Sequence, residues 1–537
     1  MVSSIKTFAF VGIEATEVQV QVKISTGIVA FTIVGLPDKS LAESRERVIA
    51  AISSLGLALP GKRITVNLAP ADLQKEGVHF DLPIAIGIMV EMGIITQESV
   101  NQYFILGELA LDGSISSING ILAAAITANQ KKLGLICPAN NGTEAVWAGK
   151  DLEIIAPNNL LALINHLKGE ENVPKPVIDG HNNNFIHKNN GDFAEVKGNI
   201  QAKRAVEIAA SGNHNLLMIG PPGSGKSMIS SRIPTILPPL KLTEILEINI
   251  IHSVSGKISG GKLITNRPFR EVHHSCSMPA MVGGGTKAKP GEISLAHKGI
   301  LFLDELAEFS QSTLESLRQP MESGKVDISR VNSHITYPAD FQLIAAMNPC
   351  RCGYLGNPKK ECRRAPICGE EYQRRISGPI FDRIDIIINV EQIDPFDSTI
   401  FHKNDSSEDS ASILARVVNA RKSQQIRYQN HYKSSTNNSD ASNCNNNANE
   451  HSLNKDFSHE DSFILNGRLS GELLNKFCFI GPELTTVLQN ISNKQQLSMR
   501  AINKILRVAR TIADLEQSED IAINHLLEAS SYRYRRG

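Results

Sequence analysis

Over the first 168 residues, runs that alternate apolar and polar positions (VQVQVKIS, IVAFTIVG, RITVNLAP) are separated by runs with helical spacing (SLAESRERVIAAISSLG, FDLPIAIGIMVEMG). A period of two buries one face of a strand and a period near 3.6 one face of a helix, so residues 1–168 predict a compact α+β domain. Between 169 and 192 the periodicity disappears into ENVPKPVIDGHNNNFIHKNNGD, which predicts a linker. From 193 to 395 the order is strand, Gly-rich turn, helix, repeated, as a mainly parallel α/β sheet requires. The pattern then turns helical through 396–537. That last region is interrupted at 433–462 by a stretch so rich in Asn and Ser that it cannot bury enough apolar surface to offset its ordering entropy, and it is expected to be a disordered insertion.

Composition narrows this picture only slightly. A chain of 537 residues is too long for one core and fits about three to four domains. With 41% hydrophobic and 20% charged residues it resembles an ordinary soluble protein. Lys plus Arg equals Asp plus Glu at 55 each, so any contact with nucleic acid must come from local patches. The segment MVSSIKTFAFVGIEA has no basic region followed by a long apolar run, and no run of 18 apolar residues occurs; a cytoplasmic protein without a membrane span is expected.

Chemistry enters at NLLMIGPPGSGKSMIS. Gly220, Pro221, Pro222, Gly223, Ser224, Gly225, Lys226 and Ser227 fit G-x-x-x-x-G-K-[ST] between an apolar strand and a helix. Such glycines let backbone N–H groups curl round a β-phosphate, while Lys226 reaches the β and γ oxygens and Ser227 ligates Mg²⁺. Downstream, GILFLDEL is an apolar strand ending in two acids. Asp304 is placed to hold the metal through its water shell and Glu305 to orient and deprotonate the attacking water. QLIAAMNP is a second buried strand whose tip carries Asn348, placed to polarise that water. Arg383 stands between two acids in FDRID, and Arg500 opens the amphipathic run LSMRAINKILRVARTIADLE.

The order GPPGSGKS, LFLDE, AAMNP, SGPIFDRID and LSMR resembles an AAA+ ATPase of the magnesium chelatase-like branch. The phrases EVKGNIQAKRAVEIAASGNHNLL, PGEISLAHKGILFLDELAEF and RVARTIADL are similar to the YifB/ComM family within it. The resemblance implies an AAA+ P-loop α/β core followed by a helical lid. It makes Asn348 the first sensor, Arg383 an arginine finger acting on a neighbour's nucleotide, and Arg500 the second sensor on the lid. Val196, Lys197 and Gly198 would lie against the adenine. Asn199 stands where the family tends to show Gln, and Ser227 where Thr is common. A finger acting in trans implies a head-to-tail ring, hexameric by resemblance.

KEGVHFDLPIAIG and LGELALDGSISSINGILAAAI resemble the Lon-protease-like fold (ribosomal S5 domain 2-like), whose protease members use a Ser nucleophile and a Lys base. Here His79 falls at the nucleophile's place and Leu122 at the lysine's, so a proteolytically inactive domain that scaffolds a ring or docks recombination proteins is expected. Residues 257–292 are longer than a minimal core needs and carry Lys262, Arg267, Arg270, His273 and His274, suiting a loop that projects into a pore. A hairpin is predicted at 324–337, with Arg330 near its tip. Basic residues on two such loops would contact phosphates without reading bases. The substrate implied by the family is single-stranded or branched DNA; the competing class is a chelatase subunit that drives metal insertion into a porphyrin. Finally, Cys350, Cys352, Cys362 and Cys368 fall within nineteen residues, and four thiolates can close a tetrahedral Zn²⁺ site. His273, His274 and His297 suit polar contacts rather than ligation.

Overall fold

The structure is a computed structural model that describes residues 2–35, 38–71, 73, 75, 77–177, 191–258, 262–285, 288–330, 333–355, 362, 364–392, 408–436 and 464–533. Most of the linker and all but the first residues of the Asn-rich stretch lie outside this set; residues 433–436 end the helix Ser410–Thr436.

The N-terminal part is built on a seven-stranded mixed sheet in the order 30–34, 63–69, 14–25, 3–11, 103–105, 134–136, 154–155. Strands Ser3–Val11 and Glu14–Ser25 form its central antiparallel hairpin, with Ile5 opposite Val20 and Thr7 opposite Val18. Val18, Val20 and Val22 of Glu14–Ser25 lie on one buried face, and the helix Asp81–Glu91 packs on it. Gly87 is required in that helix because a Cβ there would meet Val22 Cγ2 at 2.7 Å.

The second part carries a five-stranded, all-parallel sheet in the order 269–272, 300–303, 342–347, 216–219, 386–389. LLMI, ILFL and QLIAAM are buried at every position, as strands covered on both faces must be. Alternate residues divide between two cores. Leu216, Met218, Phe302 and Ile344 face the helix Ile200–Gly212 and the C-terminal helices; Leu217, Leu301, Leu303 and Leu343 face Ile293, Leu314 and Tyr337.

The C-terminal helices Ser410–Thr436, Met499–Leu515 and Ile523–Ser531 share the first of these cores, through Ile413, Val417, Ile505, Val508, Ile512 and Leu526. Arg468 ties the same region to the far side of the sheet, donating to Asp340 Oδ1 at 3.0 Å and to the Phe341 carbonyl at 3.2 Å. The N-terminal part docks through the helix Ile121–Gln130 against Leu242–Val254. There Ser253 Oγ donates to the buried Glu144, and Gly120 N donates to the Ser253 carbonyl at 3.3 Å. None of the described helices is long and apolar enough to cross a membrane.

The stretch 257–292, expected as a projecting loop, contains Phe269–Val272, the edge strand of the parallel sheet, and the short helix Met278–Val282. Only part of it is therefore free to project. The expected hairpin is present as Lys325–Arg330 paired with Ser333–Pro338. Its buried face is Val326, Ile328 and Tyr337, and Ile335 lies against Gly12 of the N-terminal hairpin turn.

Candidate active site

The phosphate loop lies at the C-terminal ends of three parallel strands, where open α/β sheets place their ligands. Gly220 N donates to the Met347 carbonyl at 3.1 Å and Val390 N to the Ile219 carbonyl at 2.7 Å, so the loop is pinned from both neighbouring strands. At Gly220 a Cβ would come within 2.3 Å of the Val390 carbonyl oxygen. Gly223 (φ +77°) and Gly225 (φ +89°) supply the left-handed turns that only glycine adopts without cost. The helix Lys226–Arg232 starts there.

Lys226 Nζ donates to the carbonyls of Gly220 (2.7 Å) and Pro221 (2.9 Å) and lies 3.4 Å from Asn348 Oδ1. Burial pushes its ammonium below the usual lysine value, while Asp304 and Glu305 oppose the shift. Ser227 Oγ donates to Asp304 Oδ2 at 2.9 Å. A hydroxyl and a carboxylate so close are the oxygen donors Mg²⁺ takes, and they would hold it, Ser227 directly and Asp304 through the ion's water shell, to neutralise phosphate charge.

Glu305 follows in a left-handed conformation (φ 52°), its N–H donating to Asp304 Oδ1 at 2.8 Å. A non-glycine residue in that region stores strain, and such residues cluster at functional sites. Its carboxylate is met by His274 Nδ1 at 3.1 Å. The ends of the strands Leu216–Ile219, Ile300–Leu303 and Gln342–Met347 thus bring Lys226, Ser227, Asp304, Glu305 and Asn348 to one place.

Two contacts at this site escaped sequence reasoning. Asn199, also left-handed (φ 50°), donates from Nδ2 to the Ser224 carbonyl at 3.2 Å and so braces the phosphate loop; it follows Gly198 (φ +64°) and buried Val196. A polar residue at the start of a helix was the available signal. His274 reaches Glu305 only because the edge strand Phe269–Val272 ends beside Ile300–Leu303, and that strand was hidden in a basic, Gly-rich stretch.

The remaining predicted residues lie elsewhere. Among the described residues, Arg383 bonds the Pro379 carbonyl (2.8 Å) and Glu322, not the phosphate loop. Arg500 is exposed in the first turn of Met499–Leu515. Lys262 is exposed. Arg267 is turned inward: it donates to the carbonyls of Pro238 and Lys298, both at 2.8 Å, and to Glu244 at 3.3 Å, so its guanidinium is not offered to a DNA phosphate. Arg270 pairs with Glu292 at 2.6 Å. Arg330 is the last paired residue of its strand, opposite Ser333. His297 is held between Glu247 (3.1 Å) and the Asp340 N–H (3.1 Å), and His273 Nδ1 bonds Ser275 at 2.8 Å. In the N-terminal part His79 is buried with Nε2 2.9 Å from the Phe8 carbonyl, and Leu122 is wholly buried, so neither position offers a nucleophile or a base.

A parallel sheet with this loop, acidic strand end and sensor asparagine defines a P-loop ATPase of the AAA+ kind, and the chain belongs to its magnesium chelatase-like family. Family models described as magnesium chelatase subunit ChlI match residues 192–397 and 20–141, and one for the ChlI C-terminal region matches 407–533. The chain is 39% identical over 527 residues to competence protein ComM of Haemophilus influenzae, covering 98% of this chain and 96% of that one. It is 38% identical over 529 residues to YifB of Salmonella typhimurium, covering 98% and 96%, and 39% identical over 535 residues to YifB of Escherichia coli, covering 99% and 97%. These likenesses place it with the YifB/ComM type, and its activity is of the ATPase kind.

Proposed function

We propose that this protein is a ring-forming motor that couples ATP hydrolysis, with Mg²⁺ held by Ser227 and Asp304, to movement on single-stranded or branched DNA. The ring is a homo-hexamer in the cytoplasm. Branch migration or a helicase-like role in recombination or natural transformation is the process it serves. The observation that carries the reading is the convergence of Lys226, Ser227, Asp304, Glu305 and Asn348 at one strand-end crevice. The near-full-length likeness to a competence protein supports DNA as the substrate.

In this reading Lys226 leaves the carbonyls of Gly220 and Pro221 for the β and γ phosphates, which are charged and stronger acceptors. Asn348 and Glu305 orient a water in line with the γ-phosphate, and Glu305 takes its proton. Arg383 approaches from the adjoining subunit and Arg500 from the lid. Exposed Lys262 and the hairpin strand ending at Arg330 supply phosphate contacts, with Arg267 removed from that set by its internal hydrogen bonds. The N-terminal domain, Lon-like and without a catalytic dyad, docks recombination proteins.

The test is the ATPase rate of the purified protein with and without single-stranded, forked and four-way DNA, at low and moderate salt. Stimulation that weakens as salt rises is the expected result, since phosphate contacts release counterions. A rate indifferent to every DNA at low salt would remove DNA as the substrate. A rate raised instead by a porphyrin-binding partner would move the chain to the chelatase reading.

A further inference from the structure

From Asn348 into the first turn of the helix Ile367–Gln373 the chain carries four cysteines, all free thiols, that the nucleotide chemistry does not use. Cys350 is buried, and its sulfur and those of Cys362 and Cys368 all lie within 4.8 Å of one another. Cys350 Sγ is 3.1 Å from Cys352 Sγ. Cys362 interacts with both Cys352 and Cys368, and Cys368 with Cys350, so the four thiols belong to one cluster. A disulfide needs about 2.05 Å, well short of the Cys350–Cys352 separation. Four thiolates about 2.3 Å from one tetrahedral ion stand about 3.8 Å apart, between the 3.1 Å that separates Cys350 from Cys352 and the 4.8 Å within which Cys350, Cys362 and Cys368 lie.

We infer that Cys350, Cys352, Cys362 and Cys368 hold a structural Zn²⁺ and that the loop it closes braces the phosphate loop. An all-sulfur, four-coordinate set is what zinc takes in structural sites and leaves no open position for substrate. The sulfurs of Cys350, Cys362 and Cys368 lie close enough together for one ion, whereas a cluster of two or four irons needs its thiolates spread round a larger body.

The brace follows from what the loop touches. Gly353, directly after Cys352, is left-handed (φ +81°) and so close to the phosphate loop that a Cβ would lie 2.6 Å from Pro222 Cδ. On the other side Gly369, directly after Cys368, is packed so that a Cβ would lie 2.4 Å from Leu355 Cδ2 and 3.4 Å from the Pro349 carbonyl. Pro349 adjoins Asn348, the residue 3.4 Å from Lys226 Nζ. The cysteine loop therefore presses on the phosphate loop and on the sensor strand together. An ion that fixes four points of this loop removes freedom the loop would otherwise keep, and holds Gly353 against Pro222.

The metal half of the inference stands alone; the brace rests on the nucleotide site described above. The experiment uses the full chain purified without chelator, with metal content read by mass spectrometry and nucleotide affinity by a fluorescent ATP analogue. One zinc per chain is expected. Its removal by a thiol-competing reagent weakens nucleotide binding several-fold, and added Zn²⁺ restores it. Gly353→Ala keeps all four thiolates and the zinc but weakens nucleotide binding, which separates the brace from general unfolding. Absence of zinc, iron in its place, or disulfides in the freshly purified protein overturns the metal site. Full zinc occupancy with unchanged affinity in both the metal-stripped protein and Gly353→Ala overturns the brace.

Discussion

Lys226 shows how far a single residue can be read ahead of a structure. Gly220, Gly223 and Gly225 before it dictate the backbone path, so the lysine's position follows from local chemistry alone, and the loop is found where the motif puts it. Arg267 shows the opposite. A basic residue in a Gly-rich run looks solvated, yet its three partners, Pro238, Lys298 and Glu244, come from separate turns that only the fold brings together. Glu305 combines both cases: its acid after a buried strand was legible, its left-handed backbone and its contact with His274 were not. Because Gln matches Glu in shape but cannot accept a proton, Glu305→Gln is expected to bind ATP about as well as the native chain. Turnover should fall by at least about 100-fold. Nucleotide titration alongside a phosphate-release assay checks this, and native-like turnover would reassign the base.

At the scale of elements, legibility followed burial. Strands covered on both faces announce themselves as continuous apolar runs, as in LLMI and ILFL, whereas the edge strand FREV has only two apolar residues and one covered side. Two packed elements also carry a titration. His79 precedes the helix Asp81–Glu91 and His252 lies in Leu242–Val254; burial holds each imidazole neutral, with its pKa pushed down to about 4. Unfolding returns each to about 6.5, so between pH 6.5 and 4 the unfolded chain binds more protons and stability falls as pH falls. By pH 5 this costs about 2 kcal/mol per histidine. Buried Asp81 and Glu144, whose pKa values burial raises, act in the opposite sense, so the comparison is best made residue by residue. His252→Gln can still donate to the Leu295 carbonyl that His252 Nε2 meets at 3.2 Å. Relative to the native chain it should gain about 2 kcal/mol in urea unfolding between pH 7 and pH 5. A gap that does not change with pH would show that His252 titrates alike in the folded and unfolded chain.

The whole molecule is where sequence said least, since helical spacing tells which face is apolar but not what it meets. Nothing local shows that Ile505 and Ile512 share a core with Leu216 and Phe302, or that Glu144 receives a bond from Ser253 across two domains. One consequence concerns Arg383. Its carbonyl accepts from Asn215 Nδ2 at 2.9 Å, from the residue that leads into the phosphate-loop strand. The flanking carbonyl of Ile384 accepts from Lys504 at 2.9 Å, on the helix that begins beside Arg500. Burial pushes the Lys504 ammonium down to about 8, so this anchor is charged at neutral pH. Arg383 thus stands on a platform joined to both the phosphate loop and the lid, while its own guanidinium is held by exposed Glu322 and by Pro379.

In the proposed reading this residue acts on another subunit's nucleotide, through a head-to-tail contact of the kind that builds rings. Lys226→Ala spoils the nucleotide site but leaves the finger; Arg383→Ala spoils the finger but leaves the nucleotide site. Each alone is expected to be nearly inactive. Mixed in equal amounts and allowed to reassemble, random placement restores an intact nucleotide site beside an intact finger at about a quarter of the junctions, so a comparable fraction of native turnover should return. If the finger worked within its own subunit, no junction in the mixture would be complete, and the mixture would stay as inactive as its parts.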